Sequence, residues 1–143
     1  MTWTYRFSSD PADIDVPKVV SWLSEEAYWA RGRTEETHRA AMAGSRNYGA
    51  YDIESGLQVG YARVITDGVT FGWLCDVFVD PNHRGAGVGS TLLSGILGDL
   101  EPLALKRTAL VTEDAHGLYR RFGFEPLVDA GSWMLRVSSS SLR

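Results

Sequence analysis

A chain of 143 residues and 15.8 kDa has room for one hydrophobic core, and 44% hydrophobic with 22% charged residues excludes a disordered or fibrous chain. The single cysteine, Cys75, excludes an intramolecular disulfide framework and a multi-cysteine zinc site, and makes a reducing cytoplasmic compartment the expected one. A net charge of −4 without a basic run argues against a nucleic-acid partner, and no apolar stretch approaches the roughly 18 residues of a membrane span.

No repeat or linker interrupts the chain, so residues 1–143 read as one domain, with 138–143 as a flexible tail. Residues 2–8 alternate Trp3, Tyr5 and Phe7 and predict a strand. Asp15 and Pro17 open a helix whose apolar stripe is Val16, Val19, Val20, Leu23 and Ala27, with Gly32 as its stop. Thr34 starts a second helix that runs to about Gly44. Strands are expected over 47–53, 59–66 and 70–79, separated by turns at Glu54-Ser55-Gly56 and Asp67-Gly68. The last of these is apolar on both faces, which predicts a central position.

A glycine-rich turn then leads into a helix over 87–100 with Val88, Leu92, Leu93, Ile96, Leu97 and Leu100 on one stripe. A short strand over 108–112 follows, then a helix over 115–122 capped by Asp114 and stopped by Gly123. Two final strands are expected over 125–128 and 132–137. The order predicts an α/β fold with a mixed central sheet, antiparallel at the front and parallel in its middle, flanked by helices.

The turn reads Arg84-Gly85-Ala86-Gly87-Val88-Gly89-Ser90. Glycines between a strand and a helix let main-chain N–H groups point outward, and the helix N-terminus adds partial positive charge. Together with the Arg84 guanidinium this makes an anion cradle. A P-loop requires a lysine after its last glycine, and none is present. A dinucleotide fingerprint places its last two glycines three apart in the first turn of a parallel unit; here they are two apart and follow a meander. A tight turn serving helix packing alone stays open at this point.

The pattern Arg84-x-x-Gly87-x-Gly89, preceded by Val77-Phe78-Val79-Asp80-Pro81, resembles the coenzyme A loop of the GNAT superfamily of N-acetyltransferases. The stretch Ala115-His116-Gly117-Leu118-Tyr119, followed by Gly123-Phe124, is similar to that family's other hallmark. The resemblance covers nearly the whole chain. It implies a GNAT-like acyl-CoA N-acyltransferase fold and acetyl-CoA as co-substrate, its diphosphate held by residues 84–90. It implies a bulged strand whose main chain at Val77, Phe78 and Val79 faces the thioester, with an oxyanion donor near Phe78 or Val79. The family often carries asparagine seven residues before the tyrosine; Thr112 stands there, and its hydroxyl can replace one hydrogen bond to the pantetheine arm.

Acetyl transfer from a thioester to an amine requires a neutral amine, a polarised carbonyl and a proton for the departing thiolate. Tyr119 is the expected general acid; packing against the sheet is its alternative. Asp76 is the expected general base, the alternative being a carboxylate paired with an arginine such as Arg63. Glu113, Asp114, His83 and His116 are weaker choices. Cys75 has no His/Asp relay beside it and reads as an inert buried residue. The three histidines lack metal-ligand spacing, so no metal is expected. Trp22, Tyr28, Trp29, Tyr61 and Trp73 offer rings for a flat or cationic amine, aided by Glu25, Glu26 or Asp76, or serve as core or dimer contacts. Arg120 and Arg121 read as a solvated helix face.

Three functions compete: N-acetylation of a primary amine on a small molecule or peptide through a ternary complex, a catalytically silent acyl-CoA-binding module, and a nucleotide-binding domain. A homodimer is a further expectation, because a final strand can pair across copies.

Overall fold

The computed structural model describes residues 4–139. Its sheet is laid down in chain order: β1 (Tyr5–Ser8), β2 (Arg46–Asp52), β3 (Gln58–Thr66), β4 (Phe71–Val79) and β5 (Arg107–Ala109). The first four strands pair antiparallel, and β5 lies parallel to β4. Short polar turns make the meander possible. Gly56 and Gly68 adopt φ of 74° and 79°, a region that costs other residues energy. Before Gly68, the exposed Asp67 carboxylate accepts the Thr70 hydroxyl and the N–H groups of Thr70 and Val69, and these bonds hold its carboxyl well below the usual range.

Helices cover both faces. α1 (Val16–Ser21) starts at Asp15, whose carboxylate accepts the Lys18 N–H at 3.2 Å. α2 (Glu35–Ala43) starts at Thr34, whose hydroxyl accepts the Thr37 N–H. α3 (Val88–Leu100) packs Val88, Leu92, Leu93 and Ile96 against Tyr48, Ala50, Ala62, Val64 and Leu74 of the sheet. Val19, Leu23, Ala27 and Met42 cover the other face with Tyr61 and Phe78. Each large side chain so buried contributes about 1.5–3 kcal/mol. Gly60 on β3 has no room for a Cβ beside Val88 and Leu92, so α3 can lie close on the sheet.

β4 carries a bulge. Tyr61 pairs with Phe78 and Arg63 with Cys75, so Asp76 and Val77 together oppose Ala62. Asp76 takes φ of 52°, unusual for a residue with a side chain. The extra residue switches the faces: Leu74 packs with α3, whereas Phe78 packs with α1 and Trp22.

Four expectations are corrected. The first helix does not reach Gly32. It widens into a π turn over Trp22–Glu26, where the Ala27 N–H donates to the Trp22 carbonyl, and the chain then leaves as a loop. Tertiary bonds hold that loop in place: Gly32 N–H donates to the Ser24 carbonyl, and the Ser24 hydroxyl to the Arg33 carbonyl. The short parallel strand spans Arg107–Ala109 rather than 108–112. Asp114 does not cap α4 (His116–Arg120); the Thr112 hydroxyl accepts the Ala115 N–H instead. The strands expected over 125–128 and 132–137 do not form among the described residues. Only a short 3-10 turn, Ala130–Ser132, interrupts an exposed segment, because alternation alone supplies no strand for these residues to pair with. Thr2 and Trp3 of the first expected strand, and the expected tail from residue 140, lie outside the described residues.

Candidate active site

Gly85 and Gly87 adopt φ of 76° and 97°, and a Cβ on either would meet nothing within 4 Å. The cradle is therefore open to an approaching ligand. Gly87 forms the N-terminal boundary of α3, and the first bond of that helix runs from the Thr91 N–H to the Gly87 carbonyl. The N–H groups of Val88, Gly89 and Ser90 thus precede Thr91, the first donor bonded within the helix, and the helix dipole reinforces them. Arg84 donates from Nε to the Val79 carbonyl at 3.1 Å with its guanidinium over the Phe78 ring, which steers this cation to the rim of the cradle. The main chain from Gly85 to Ser90 and the Arg84 guanidinium fit a diphosphate.

One side of β4 is open beyond its short pairing with β5. The ladder between β4 and β5 covers only Phe71–Trp73 with Arg107–Ala109. Beyond Trp73 no strand among the described residues lies on that side of β4, and the bulge at Asp76 and Val77 falls within this free stretch. A narrow acyl carrier arm can add there as an extended partner, at Val77, Phe78 and Val79. The Phe78 side chain itself is buried in the core, so only its main chain can take part.

Beside that open stretch of β4 lies a cavity of about 500 Å³ whose walls include Trp73, Cys75, Asp76, Val77, Thr112 and Tyr119. Tyr119 enters from α4, which α3 approaches closely because Gly89 faces Leu118. Its ring packs edge-on to Phe124, and among the described residues no side chain hydrogen-bonds its hydroxyl. Burial, with a smaller effect from the Asp114 charge, pushes this phenol up to about 12. It therefore stays protonated throughout the neutral range. Burial likewise pushes the Cys75 thiol up to about 11, which suppresses the thiolate.

Asp76 reaches the cavity as expected, but its carboxylate is fully engaged. Trp29 Nε1 donates to Oδ1 at 2.9 Å, while Arg33 Nη1 and Arg63 Nε donate to Oδ2 at 2.8 and 2.7 Å. Burial alone would raise its pKa; the hydrogen bonds and charges of Arg63 and Arg33 outweigh that and hold it below the ordinary value. Its surroundings match the paired reading rather than that of a free proton acceptor. Arg33, which no sequence pattern singles out, closes this cluster from 43 residues away.

The aromatics divide. Tyr28, Trp29 and Trp73 line the cavity, with Tyr28 and Trp29 edge to face at 5.0 Å. Trp22 is buried against Phe78, and Tyr61 donates to Asn47 inside the sheet, so neither ring borders the cavity. Glu113 and Asp114 also line the cavity; desolvation, their charges and a hydrogen bond to Glu113 raise the Tyr28 phenol. Glu25 and Glu26 are exposed and outside this lining. His83 meets Tyr5 of β1, and His116 is exposed. Among the described residues no three acidic, histidine or cysteine side chains are grouped as metal ligands.

A mixed sheet that parts beside a bulge, with a glycine cradle at one end and a buried phenol at the other, is the architecture of an acyl-carrier-dependent transferase. Residues 44–126 match the acetyltransferase (GNAT) domain family, and the chain belongs to that family. A candidate acetyltransferase of Gibberella zeae is 33% identical over 138 residues, covering 82% of this chain and 78% of the relative. Serotonin N-acetyltransferase 2, chloroplastic, of Oryza sativa subsp. japonica is 33% identical over 102 residues, covering 68% of this chain and 51% of the relative. The crystal structure of a candidate GNAT-family acetyltransferase from Xanthomonas campestris pv. campestris superposes with a TM-score of 0.89 at 34% identity, covering 99% of each chain.

Proposed function

We propose that the protein transfers an acetyl group from acetyl-CoA to the primary amine of a cationic acceptor with an apolar or aromatic body, both substrates being bound together. One observation carries the reading: the Tyr119 phenol and the free side of bulged β4 share a single cavity. Bound acetyl-CoA supplies the acetyl group as a thioester. The N–H groups at the start of α3 hold its diphosphate, Arg84 adds charge at the rim, and the main chain at Val77 to Val79 aligns the arm and polarises the carbonyl. Thr112 keeps its hydroxyl hydrogen for the arm, since the Ala115 N–H uses only its oxygen.

Tyr119 donates from its hydroxyl to the sulfur as the carbon–sulfur bond breaks. A phenol near 12 is a weaker acid than a thiol near about 8.5, so hydrogen bonding leads and proton transfer comes late. Trp29, Trp73 and Tyr28 enclose the acceptor's body, while Glu113 and Asp114 attract its cationic end. That attraction also keeps the amine charged, so a proton must leave before attack. Glu113, exposed at the rim, takes it through water; Asp76 holds the wall instead. The similarity to a serotonin N-acetyltransferase supports a ring-bearing amine as the first acceptor to try.

The test is acetyl-CoA consumption over a panel of arylalkylamines, polyamines, N-terminal peptides and lysine peptides, with calorimetry for CoA, NAD and ATP. CoA heat with turnover of arylalkylamines is expected. Binding of CoA without turnover of any amine would leave a silent module, and heat with NAD or ATP in place of CoA would end the proposal.

A further inference from the structure

One part of the cavity wall holds more positive charge than the groups beside it balance. Arg33 and Arg63 both line the cavity, both are nearly buried, and among the described residues Asp76 is the single carboxylate in ion-pair reach of either. Two guanidinium groups against one carboxylate leave a positive charge in excess away from bulk water, which is costly unless another anion answers it. Their donors are only partly spent. Both arginines bond the same Asp76 oxygen, Oδ2, Arg33 from Nη1 and Arg63 from Nε, and Arg63 also gives Nη1 to the Ser45 hydroxyl. Among the described residues no buried side-chain nitrogen or oxygen lacks a partner, so the unspent N–H groups of these arginines face open space, and the open space they line is the cavity.

The other acids of the cavity do not answer it. Glu113 and Asp114 are exposed, and Glu113 takes its hydrogen bond from the Tyr28 hydroxyl. Trp29 is tied by its indole N–H to Asp76, and the two rings meet edge to face at 5.0 Å. The ring pair therefore runs from a cationic pole at Arg33 and Arg63 to an anionic pole at Glu113 and Asp114. An acceptor with an ammonium group alone would answer one pole and leave the other. We propose that the acceptor is a zwitterion, whose apolar body carries, at the end away from the amine, a carboxylate that seats on the unspent N–H groups of Arg33 and Arg63. A guanidinium fork matches a planar carboxylate, and Asp76 holds both forks in place before the acceptor arrives. By bonding each arginine once, Asp76 orients both and saturates neither. The inference rests on the reading of this cavity as the acceptor site and adds the acceptor's second charged group to it.

Matched probes test it: para-(aminoethyl)benzoate, the equally sized para-(aminoethyl)benzamide, and phenethylamine. Each is followed by acetyl-CoA consumption and by calorimetry on the full chain loaded with CoA. The benzoate is expected to exceed the benzamide at least about tenfold, in affinity and, through KM, in kcat/KM, because a site built for a charged hydrogen-bonding group rejects its neutral analogue. Arg33→Gln leaves Arg63 and Asp76 as a matched pair, and it is expected to cut that preference below about threefold. A merely structural role would weaken both probes alike and keep their ratio. Arg63→Gln serves in the same way if the first variant does not fold. A benzoate that binds the wild type no more tightly than the benzamide overturns the proposal, and so does a preference that survives both variants. Turnover of none of the three probes, with the benzoate still the tighter ligand, would support the carboxylate seat and count against the acetyl-transfer reading instead.

Discussion

A carboxylate between two guanidinium groups gives up little of its negative charge to a passing proton, and Asp76 also accepts the Trp29 indole N–H. Its task is to tie the 27–34 loop, which bears the cavity-lining Tyr28 and Trp29 rings, to the bulge of β4. The side chains of Asp76, Arg63 and Arg33 are 3%, 11% and 14% exposed, so removing the negative charge leaves two cations facing one another out of water. Asp76→Asn is expected to destabilise the fold by about 3 kcal/mol, as breaking a buried pair does. Turnover falls with it, but the acid limb of the pH–rate profile keeps its midpoint; a limb that disappears in this variant would restore Asp76 as the base. Tyr119→Phe removes one donor to the sulfur and is expected to lower kcat about 10²–10³-fold with CoA affinity within about twofold. Because burial lifts that phenol to about 12, wild-type kcat should show no alkaline fall from this group between pH 7 and 10. Unchanged turnover in Tyr119→Phe would remove it from the chemistry.

Elements carry the next set of consequences, above all α3. Gly87 needs its φ of 97° to turn the chain into the helix, and its missing side chain leaves the cradle clear. Gly87→Ala is expected to cost about 1–3 kcal/mol in strain and to weaken CoA binding at least tenfold, read by calorimetry and melting together. Gly98→Ala on the same helix, exposed and with open space around it, should stabilise by about 0.5–1 kcal/mol and leave CoA binding alone. Equal effects of both on binding would mean that the N-terminus of α3 holds no ligand. These elements were legible because their signals are local. The meander follows from Gly56, Asp67 and Gly68, and α3 from a long apolar stripe after a glycine turn. The bulge was expected in β4, but its position was not, because register is decided by a neighbouring strand. The π turn at Trp22–Glu26 and the placement of Arg33 escaped for the same reason: Trp22 packs on Phe78 and Arg33 pairs with Asp76, both far along the chain. The last two strands were read from alternation, which specifies a face and not a partner.

The whole molecule is bound across its layers by buried polar groups, and these set how its stability responds to pH. His38 is 1% exposed on α2. Ser24 spends its one hydroxyl hydrogen on the Arg33 carbonyl at 2.6 Å, so His38 Nε2 must donate to the Ser24 oxygen at 2.9 Å. Burial lowers its pKa from 6.5, Arg33 and Arg63 lower it further, and Asp76 opposes them. A depressed pKa in the fold means that the unfolded chain takes the proton first. The stability is therefore whole above pH 6.5 and declines as pH falls from there through the folded value. Asp76, depressed from 3.8, adds a second loss below that pH. At the other end burial raises Tyr51 and Tyr119 to about 12, and Tyr48 and Tyr61 higher still, so the fold loses stability as pH rises above 10, where the unfolded chain ionises first. Melting temperature is thus expected to be flat between about pH 6.5 and 9, above which the buried Cys75 thiol, raised to about 11, adds its own loss, and to fall on both sides. His38→Gln keeps a donor within reach of Ser24 but cannot titrate, so it should erase the decline between pH 6.5 and about 4 and keep the steeper loss below. A wild-type melting temperature that stays constant from pH 7 to 4.5 would show that His38 is as easily protonated in the fold as outside it.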